Sequence, residues 1–248
     1  MNVYLLDVMS IPERDITKYA RVLDEDRRKG IAQCRRGADK LRSFGAGIAL
    51  LYAWKTQFGE REMPEIMREE NGKPCFSGEN IPFCLSHSGA YAACVLGEGT
   101  DGASLGLDIQ EPRAVRAGLA ERFFSDGERA QLLSGESACL IWSRKESLAK
   151  YRGSGLRGDL RALDTSGESI ALPSDQDQRT AEEGSDPPSY QGRLQAEAAA
   201  DRHLVRTAEG ACLWSCVTAD GYALSVCKDR PVDCRPVFLS WEQIKQEL

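Results

Sequence analysis

Two acids and a lysine, far apart in the chain, have the types and spacing that phosphate chemistry uses. The stretch "SLGLDIQEP", residues 104 to 112, alternates apolar Leu105, Leu107 and Ile109 with Gly106, Asp108 and Gln110, the period-two pattern of a strand with one buried face. Asp108 and Gln110 project to the same side, whereas Glu111 projects to the other and is held extended by Pro112. Further on, "IWSRKESLAK", residues 141 to 150, sets Trp142, Glu146 and Lys150 four apart and therefore on one helix face, with Lys145 beside them. Alone, that helix reads as a surface Glu–Lys pair worth roughly a few tenths of a kcal/mol. Beside Asp108 it reads differently. A Mg²⁺ ion takes one or two protein carboxylates, keeps several waters and is completed by phosphate oxygens. Asp108 and Glu146 would supply that pair, and Lys150 would neutralise charge on a transferring phosphate.

Three further stretches hold reactive residue types. "FCLSHSGAYAACVLG" places Ser86, His87 and Ser88 at the end of an apolar strand, with Gly89 permitting a tight turn. A Ser/His or Cys/His hydrolase would also need an orienting acid and an oxyanion loop, and neither G-x-S-x-G nor a known cysteine signature is present. "NGKPCF" places Lys73 in a Gly/Pro turn. In "RFFSDGERAQLL", Ser125 and Glu128 have capping-box spacing, which explains both without catalysis and leaves Glu128 a reserve acid–base group.

These residues need a scaffold, and the chain has the size for one. Its 248 residues suit one large domain or two lobes, with 42% hydrophobic and 28% charged residues. No apolar run approaches the roughly 20 residues of a membrane helix, and "MNVYLLDVMSIPERD" reads as a first strand and not a leader, so a cytoplasmic location without membrane contact is expected. Nine cysteines without a C-x-x-C read as reduced, partly buried thiols. The net charge of −6 argues against nucleic-acid binding, yet residues 27 to 42 carry seven Lys or Arg against one Asp, which points to a small anionic ligand. Helical signals cover 13 to 58 and 114 to 151, and short strands are expected at "PFCLS", "YAACVL" and the opening stretch. A hairpin is expected between "ACLWSCVT" and "YALSVC". The Gly-rich loop at 97 to 104 marks a hinge between lobes 1–103 and 104–248, and 173–203 reads as a mobile polar insertion.

In order along the chain, "RRGADKLRS", "NGKP", "LSHSGAY", "LGLDIQ", "RFFSDGE" and "WSRKESLAKYRGSGL" resemble the 4′-phosphopantetheinyl transferases, closest to the two-lobed type that activates carrier proteins of nonribosomal peptide and polyketide synthases. The resemblance spans residues 35 to 156, with "YALSVC" as a late strand. It implies an α+β fold with a pseudo-twofold pair of lobes, each a small antiparallel sheet packed on a long helix, and coenzyme A in the cleft between them. It also implies ligand contacts: Arg42 on the 3′-phosphate, Ser43 beside the adenine, and Lys29 or Arg36 in a second cationic place. Lys73 and Pro74 would lie against adenine, His87, preceded by Ser86, would contact phosphate, and Lys150 would hold the pyrophosphate. Asp108 and Glu146, with Gln110, would hold Mg²⁺ or Mn²⁺. The implied reaction transfers phosphopantetheine from coenzyme A to a serine of an apo acyl or peptidyl carrier protein, with Glu146 or a metal-bound water taking the serine proton and Glu128 in reserve. Arg113, Arg116 and Arg122 would contribute basic contacts to the acidic partner, and a site completed within one chain implies a monomer. A catalytically weak coenzyme A binding protein of the same fold is the alternative.

Many members of that family carry a second acid where this chain has Gln110. An amide oxygen ligates a hard cation without formal charge, so Gln110→Glu is expected to lower the metal concentration needed for half-maximal activity in a Mg²⁺ titration. An unchanged titration would place residue 110 outside the ion's surroundings.

Overall fold

The computed structural model describes residues 1–99, 104–114, 117–155, 158–172 and 202–248, and in it the apolar runs near both ends of the chain meet in one sheet. β1 (Asn2–Asp7) pairs antiparallel with β5 (Tyr91–Leu96), which pairs antiparallel with β4 (Phe83–Ser88). β11 (Arg235–Leu239) joins the other side of β1 in parallel, from Asn2 opposite Arg235 to Leu6 opposite Leu239. A short hairpin, β2 (Ile66–Arg68) with β3 (Pro74–Phe76), stands apart. The second sheet has the order β6-β10-β9-β8-β7, all antiparallel, from β6 (Gly106–Gln110), β7 (Glu168–Ser169), β8 (Arg202–Arg206), β9 (Cys212–Val217) and β10 (Ala223–Lys228).

The protein is therefore a mixed α+β structure built on small sheets. The expectation of antiparallel sheets needs one correction, the parallel β1–β11 pair, because strand direction is set by which distant segment fills an edge and no local pattern encodes it. The hairpin expected near the C-terminus forms as β9 and β10. Of the insertion expected at 173–203, residues 173–201 lie outside the described residues, and Arg202 and His203 begin β8, which corrects that boundary.

Helix α3 (Gly37–Phe58) covers the first sheet, and α1 (Glu13–Tyr19) and α2 (Glu25–Gln33) pack on α3. Along α3, Phe44, Ile48, Leu50 and Trp54 are fully buried over β1, β4 and β5, each such side chain contributing roughly 1.5–3 kcal/mol. No helix among the described residues is long and apolar enough to cross a membrane. The nine cysteines are free thiols.

Helices α4 (Ala117–Phe123), α5 (Asp126–Leu133), α6 (Ala138–Arg152) and the terminal turn α7 (Trp241–Ile244) complete the structure. α6 lies on β6 and β10 at very close range. A Cβ on Gly106 would stand 1.8 Å from the Ser147 carbonyl oxygen, so only glycine allows β6 this approach. Ser143 and Ser147, both fully buried, are the small residues on the helix side, and Ser143 Oγ donates to the Asp108 carbonyl at 3.1 Å.

The two sheets are joined along β4 and β6. The N–H groups of Leu107, Ile109 and Glu111 donate to Cys84 Sγ (3.2 Å), Ser86 Oγ (3.3 Å) and Ser88 Oγ (3.0 Å). Alternate side chains of one strand thus satisfy alternate backbone donors at the edge of the other.

A buried ion pair fixes α5 to α6. Ser125 and Glu128 form the capping box at the start of α5, and Glu128 Oε2 also accepts from Lys145 Nζ at 2.8 Å, with both side chains fully buried. Thr165 donates its N–H (3.0 Å) and hydroxyl (2.7 Å) to the other carboxylate oxygen. Lys145 also donates to the carbonyls of Leu160 and Leu163. Removing one partner leaves an uncompensated buried charge, so Glu128→Ala is expected to lower the unfolding free energy by about 3–5 kcal/mol in a urea titration.

Candidate active site

Asp108 sits in the middle of β6, 1% exposed, where α6 crosses the strand. One of its carboxylate oxygens accepts from Ser86 Oγ (2.8 Å) and Lys150 Nζ (2.8 Å), and the other accepts from Gln110 Nε2 (2.7 Å). Lys150 also donates to Ser86 Oγ at 3.0 Å and to the Leu107 carbonyl at 2.9 Å. Helical spacing brings Glu146 to the same place, one turn before Lys150. Burial, followed by the neighbouring Asp108 carboxylate, raises the Glu146 carboxyl to about 7, although Lys150 and a hydrogen bond from Trp142 act in the opposite direction. Burial depresses the Lys150 ammonium, but Asp108, Cys84 and Glu146 together leave it above its ordinary value. Two carboxyl groups and an ammonium therefore share one half-buried cluster at the β4–β6 junction.

On one side of this cluster lies a cavity of about 300 Å³. Its wall includes Arg27 from α2, Arg68 from β2, Lys73 and Pro74 at the start of β3, and Lys150 from α6. The lining contains four cationic side chains and no carboxylate, the composition of a polyanion site. Lys73 is held in place by bonds from Nζ to Ser104 Oγ (2.6 Å) and the Leu105 carbonyl (2.9 Å), and burial lowers its pKa. A second cavity of about 670 Å³ includes Arg42, His87, Gly89 and Tyr222 in its wall. His87 is depressed by burial, then by the charges of Arg42, Lys150 and Arg27. Leu85 and His87, two residues apart on β4, lead from the first cavity to the second.

The structure brings together Ser86, Asp108, Gln110, Glu146 and Lys150 in one group and places Lys73, Pro74, Arg42 and His87 on the flanking cavities. Ser43 contributes its carbonyl, which accepts from Arg27 Nη1 at 3.2 Å. Three residues singled out by sequence stand elsewhere. Lys29 is exposed on α2 and paired with Glu25 at 2.7 Å, Arg36 is exposed just before α3, and Glu128 is committed to the buried Lys145 pair. The cation of the basic patch that reaches the cavity is Arg27, which sequence reasoning missed. Its signal was the helix period: Arg27 and Ile31 are four apart on α2, and buried Ile31 marks the inward face.

Among the described residues, no group of three or more His, Cys, Asp or Glu side chains is placed to hold a metal ion. Asp108 and Glu146 nevertheless fit the one or two carboxylates that Mg²⁺ requires, since their mutual repulsion is what raises Glu146 beyond the effect of burial.

The chain belongs to the 4′-phosphopantetheinyl transferase superfamily, whose family model matches residues 104–227. Over 95 residues it is 39% identical to the 4′-phosphopantetheinyl transferase ffp of Bacillus subtilis, covering 36% of this chain and 41% of that protein. It is 34% identical over 95 residues to Sfp of Bacillus subtilis strain 168, with the same coverage, 36% and 41%. It is also 40% identical over 100 residues to AcpT of Escherichia coli K12, covering 37% of this chain and 50% of AcpT. The chain thus spans half the length, or less, of these relatives.

The raised Glu146 carboxyl gives stability a pH dependence with a definite sign. The folded protein holds a proton that the unfolded chain releases near 4.5, so this stability is complete below pH 4.5 and is lost as pH rises through about 7. Without divalent cation the unfolding free energy should fall by up to about 3 kcal/mol across that window, and Glu146→Gln should flatten the profile, as measured by denaturant titration at each pH.

Proposed function

We propose that this chain is an enzyme that transfers 4′-phosphopantetheine from coenzyme A to a serine of an apo acyl or peptidyl carrier protein, releasing adenosine 3′,5′-bisphosphate. The observation that carries the reading is the junction of a cavity lined by Arg27, Arg68, Lys73 and Lys150 with the Asp108–Glu146 pair, because the first suits a pyrophosphate and the second suits the group that reacts with it.

In this reading the pyrophosphate of coenzyme A lies against Lys150, with Arg27, Lys73 and Pro74 around the nucleotide and Arg42 and His87 at the other end of β4. Ser43 takes part through its carbonyl, which accepts from Arg27, whereas Lys29 and Arg36 stand away from both cavities. Asp108 and Glu146 would hold Mg²⁺ or Mn²⁺, with Gln110 beside them, and such a cation would supply neutralisation of pyrophosphate charge. Lys150 adds charge to the same end and Ser86 keeps it and Asp108 in register.

The serine oxygen of the carrier attacks the phosphorus that bears the pantetheine. A new P–O bond forms, the bridging P–O bond breaks, and adenosine 3′,5′-bisphosphate leaves with the bond's electrons. The serine proton passes to the Glu146 carboxylate and from there to solvent. Positioning and charge neutralisation supply most of the acceleration, because an alcohol is a weak nucleophile. Glu128 takes no part, being fully bonded within its ion pair.

Two lobes, 1–103 and 104–248, would flank this cleft, with β11 of the second completing the sheet of the first, and a cytoplasmic monomer fits a site built from one chain. Exposed Arg113, together with Arg122 of α4, would meet the acidic carrier; Arg116 lies outside the described residues.

Incubation with coenzyme A, Mg²⁺ and an apo carrier protein should add the mass of phosphopantetheine to the carrier. Chelator, Asp108→Ala and Lys150→Ala should abolish the gain, whereas Arg27→Ala should raise KM for coenzyme A about tenfold, as expected for loss of a charge-assisted contact. Coenzyme A binding without any mass gain on a panel of carriers would sink the transferase reading and leave a binding protein.

A further inference from the structure

The turn between β4 and β5 is gripped by the second sheet more tightly than a hairpin turn requires. Gly89 has φ +51°, and a Cβ there would stand 2.3 Å from Tyr222 Oη and 2.7 Å from Glu111 Oε1. Four of its polar groups are tied to four different segments. The Ser88 hydroxyl accepts from the Glu111 N–H at 3.0 Å, the Gly89 carbonyl accepts from Arg42 Nη1 at 3.2 Å, and the Ala90 carbonyl accepts from the Val8 N–H at 2.8 Å. The Ala90 N–H donates to Tyr222 Oη at 2.9 Å.

Tyr222 is itself immobilised. It stands just before β10, closing a tight turn in which Thr218 Oγ1 accepts its N–H at 2.9 Å and the Thr218 N–H donates to its carbonyl at 2.9 Å. Its ring stands edge-on to Tyr91, with centroids 4.9 Å apart, and the residue is 6% exposed. A rigid phenol from the second sheet thus fixes a turn of the first.

What that turn controls is the Arg42 guanidinium, which is divided between the Gly89 carbonyl and the Asp39 carboxylate, the latter at 2.5 Å. If Gly89 moves, Arg42 keeps only its carboxylate partner and its charge turns towards Asp39. His87, two residues before Gly89, shares the wall of the same 670 Å³ cavity with Arg42 and Tyr222.

We propose that Tyr222 is a positioning residue: through the Ala90 N–H it sets the β4–β5 turn so that Arg42 and His87 face the anionic nucleotide. The ligand's identity rests on the transferase reading above, whereas the role of the hydroxyl is tested separately from it.

The experiment uses Tyr222→Phe in the full chain, which keeps the ring and removes only the acceptor oxygen. Three quantities are measured: amide exchange at Ala90 by NMR, calorimetric affinity for adenosine 3′,5′-bisphosphate, and KM and kcat for transfer from coenzyme A to an apo carrier. The expected result is faster exchange at Ala90, with the dissociation constant for the bisphosphate and KM for coenzyme A both raised about 5–10-fold, the scale of one lost hydrogen bond. The change in kcat should be far smaller. Ser88→Ala, which loosens the turn from its other side, should shift affinity in the same direction. Unchanged bisphosphate affinity overturns the proposal, and so does a fall in kcat and melting temperature together at constant KM, which is what a purely structural tyrosine would give. If the wild-type chain binds the bisphosphate but transfers nothing, the transferase reading fails and Tyr222 is judged on affinity alone.

Discussion

An edge strand buried between two sheets has half its backbone donors facing protein and no neighbouring strand to accept them. β6 is in that position: β10 pairs with one side of it, and β4 approaches the other without a regular ladder. Leaving three such N–H groups unpaired would cost about 1–3 kcal/mol each. Cys84, Ser86 and Ser88 remove that cost by offering one side-chain acceptor every second residue, in step with the strand they face. The site depends on this arrangement. Only with β4 held against β6 does Ser86 reach Asp108, does Lys150 lie between both strands, and do the two cavities follow one another along β4.

The electrostatics follow from the same geometry. Gly106 lets α6 sit directly on β6, so Glu146 and Lys150 are delivered to Asp108 with little room for water. Unlike charges stabilise the cluster through Lys150, and like charges strain it through Glu146. The protein tolerates the strain because the neighbouring cavity has an excess of positive charge and no acid of its own. A polyanion entering there would meet four cations, and the acidic pair would stand at the edge of its phosphates.

Much of this was legible in the sequence where a local period carried it. The alternation of residues 105 to 110 identified β6 and the shared face of Asp108 and Gln110, and four-residue spacing put Glu146 and Lys150 together. The capping-box spacing of Ser125 and Glu128 anticipated their structural duty, but not the Lys145 partner that completes it, since Lys145 reads as a neighbour of the acidic stripe. Arg27 was hidden because a run of arginines and lysines gives no ranking by charge; only its helical register with Ile31 singles it out. Lys73 looked like a loop residue, because its partners Ser104 and Leu105 are some thirty positions away. The parallel β1–β11 pair and the Tyr222 contact with Ala90 link segments more than one hundred residues apart, and no short-range pattern records such contacts.

The parallel pairing of β1 with β11 also governs the order in which this chain can be assembled. β1 finds one of its two partners only after residue 239 has been made, so Val3 and Leu5 lie on a half-finished sheet until then. An apolar strand with an open edge is a template for intermolecular pairing. Between the making of β1 and that of β11, then, the chain is exposed to aggregation at the segment that later forms the centre of its first sheet, and the closing of that edge by β11 is the step that ends the risk.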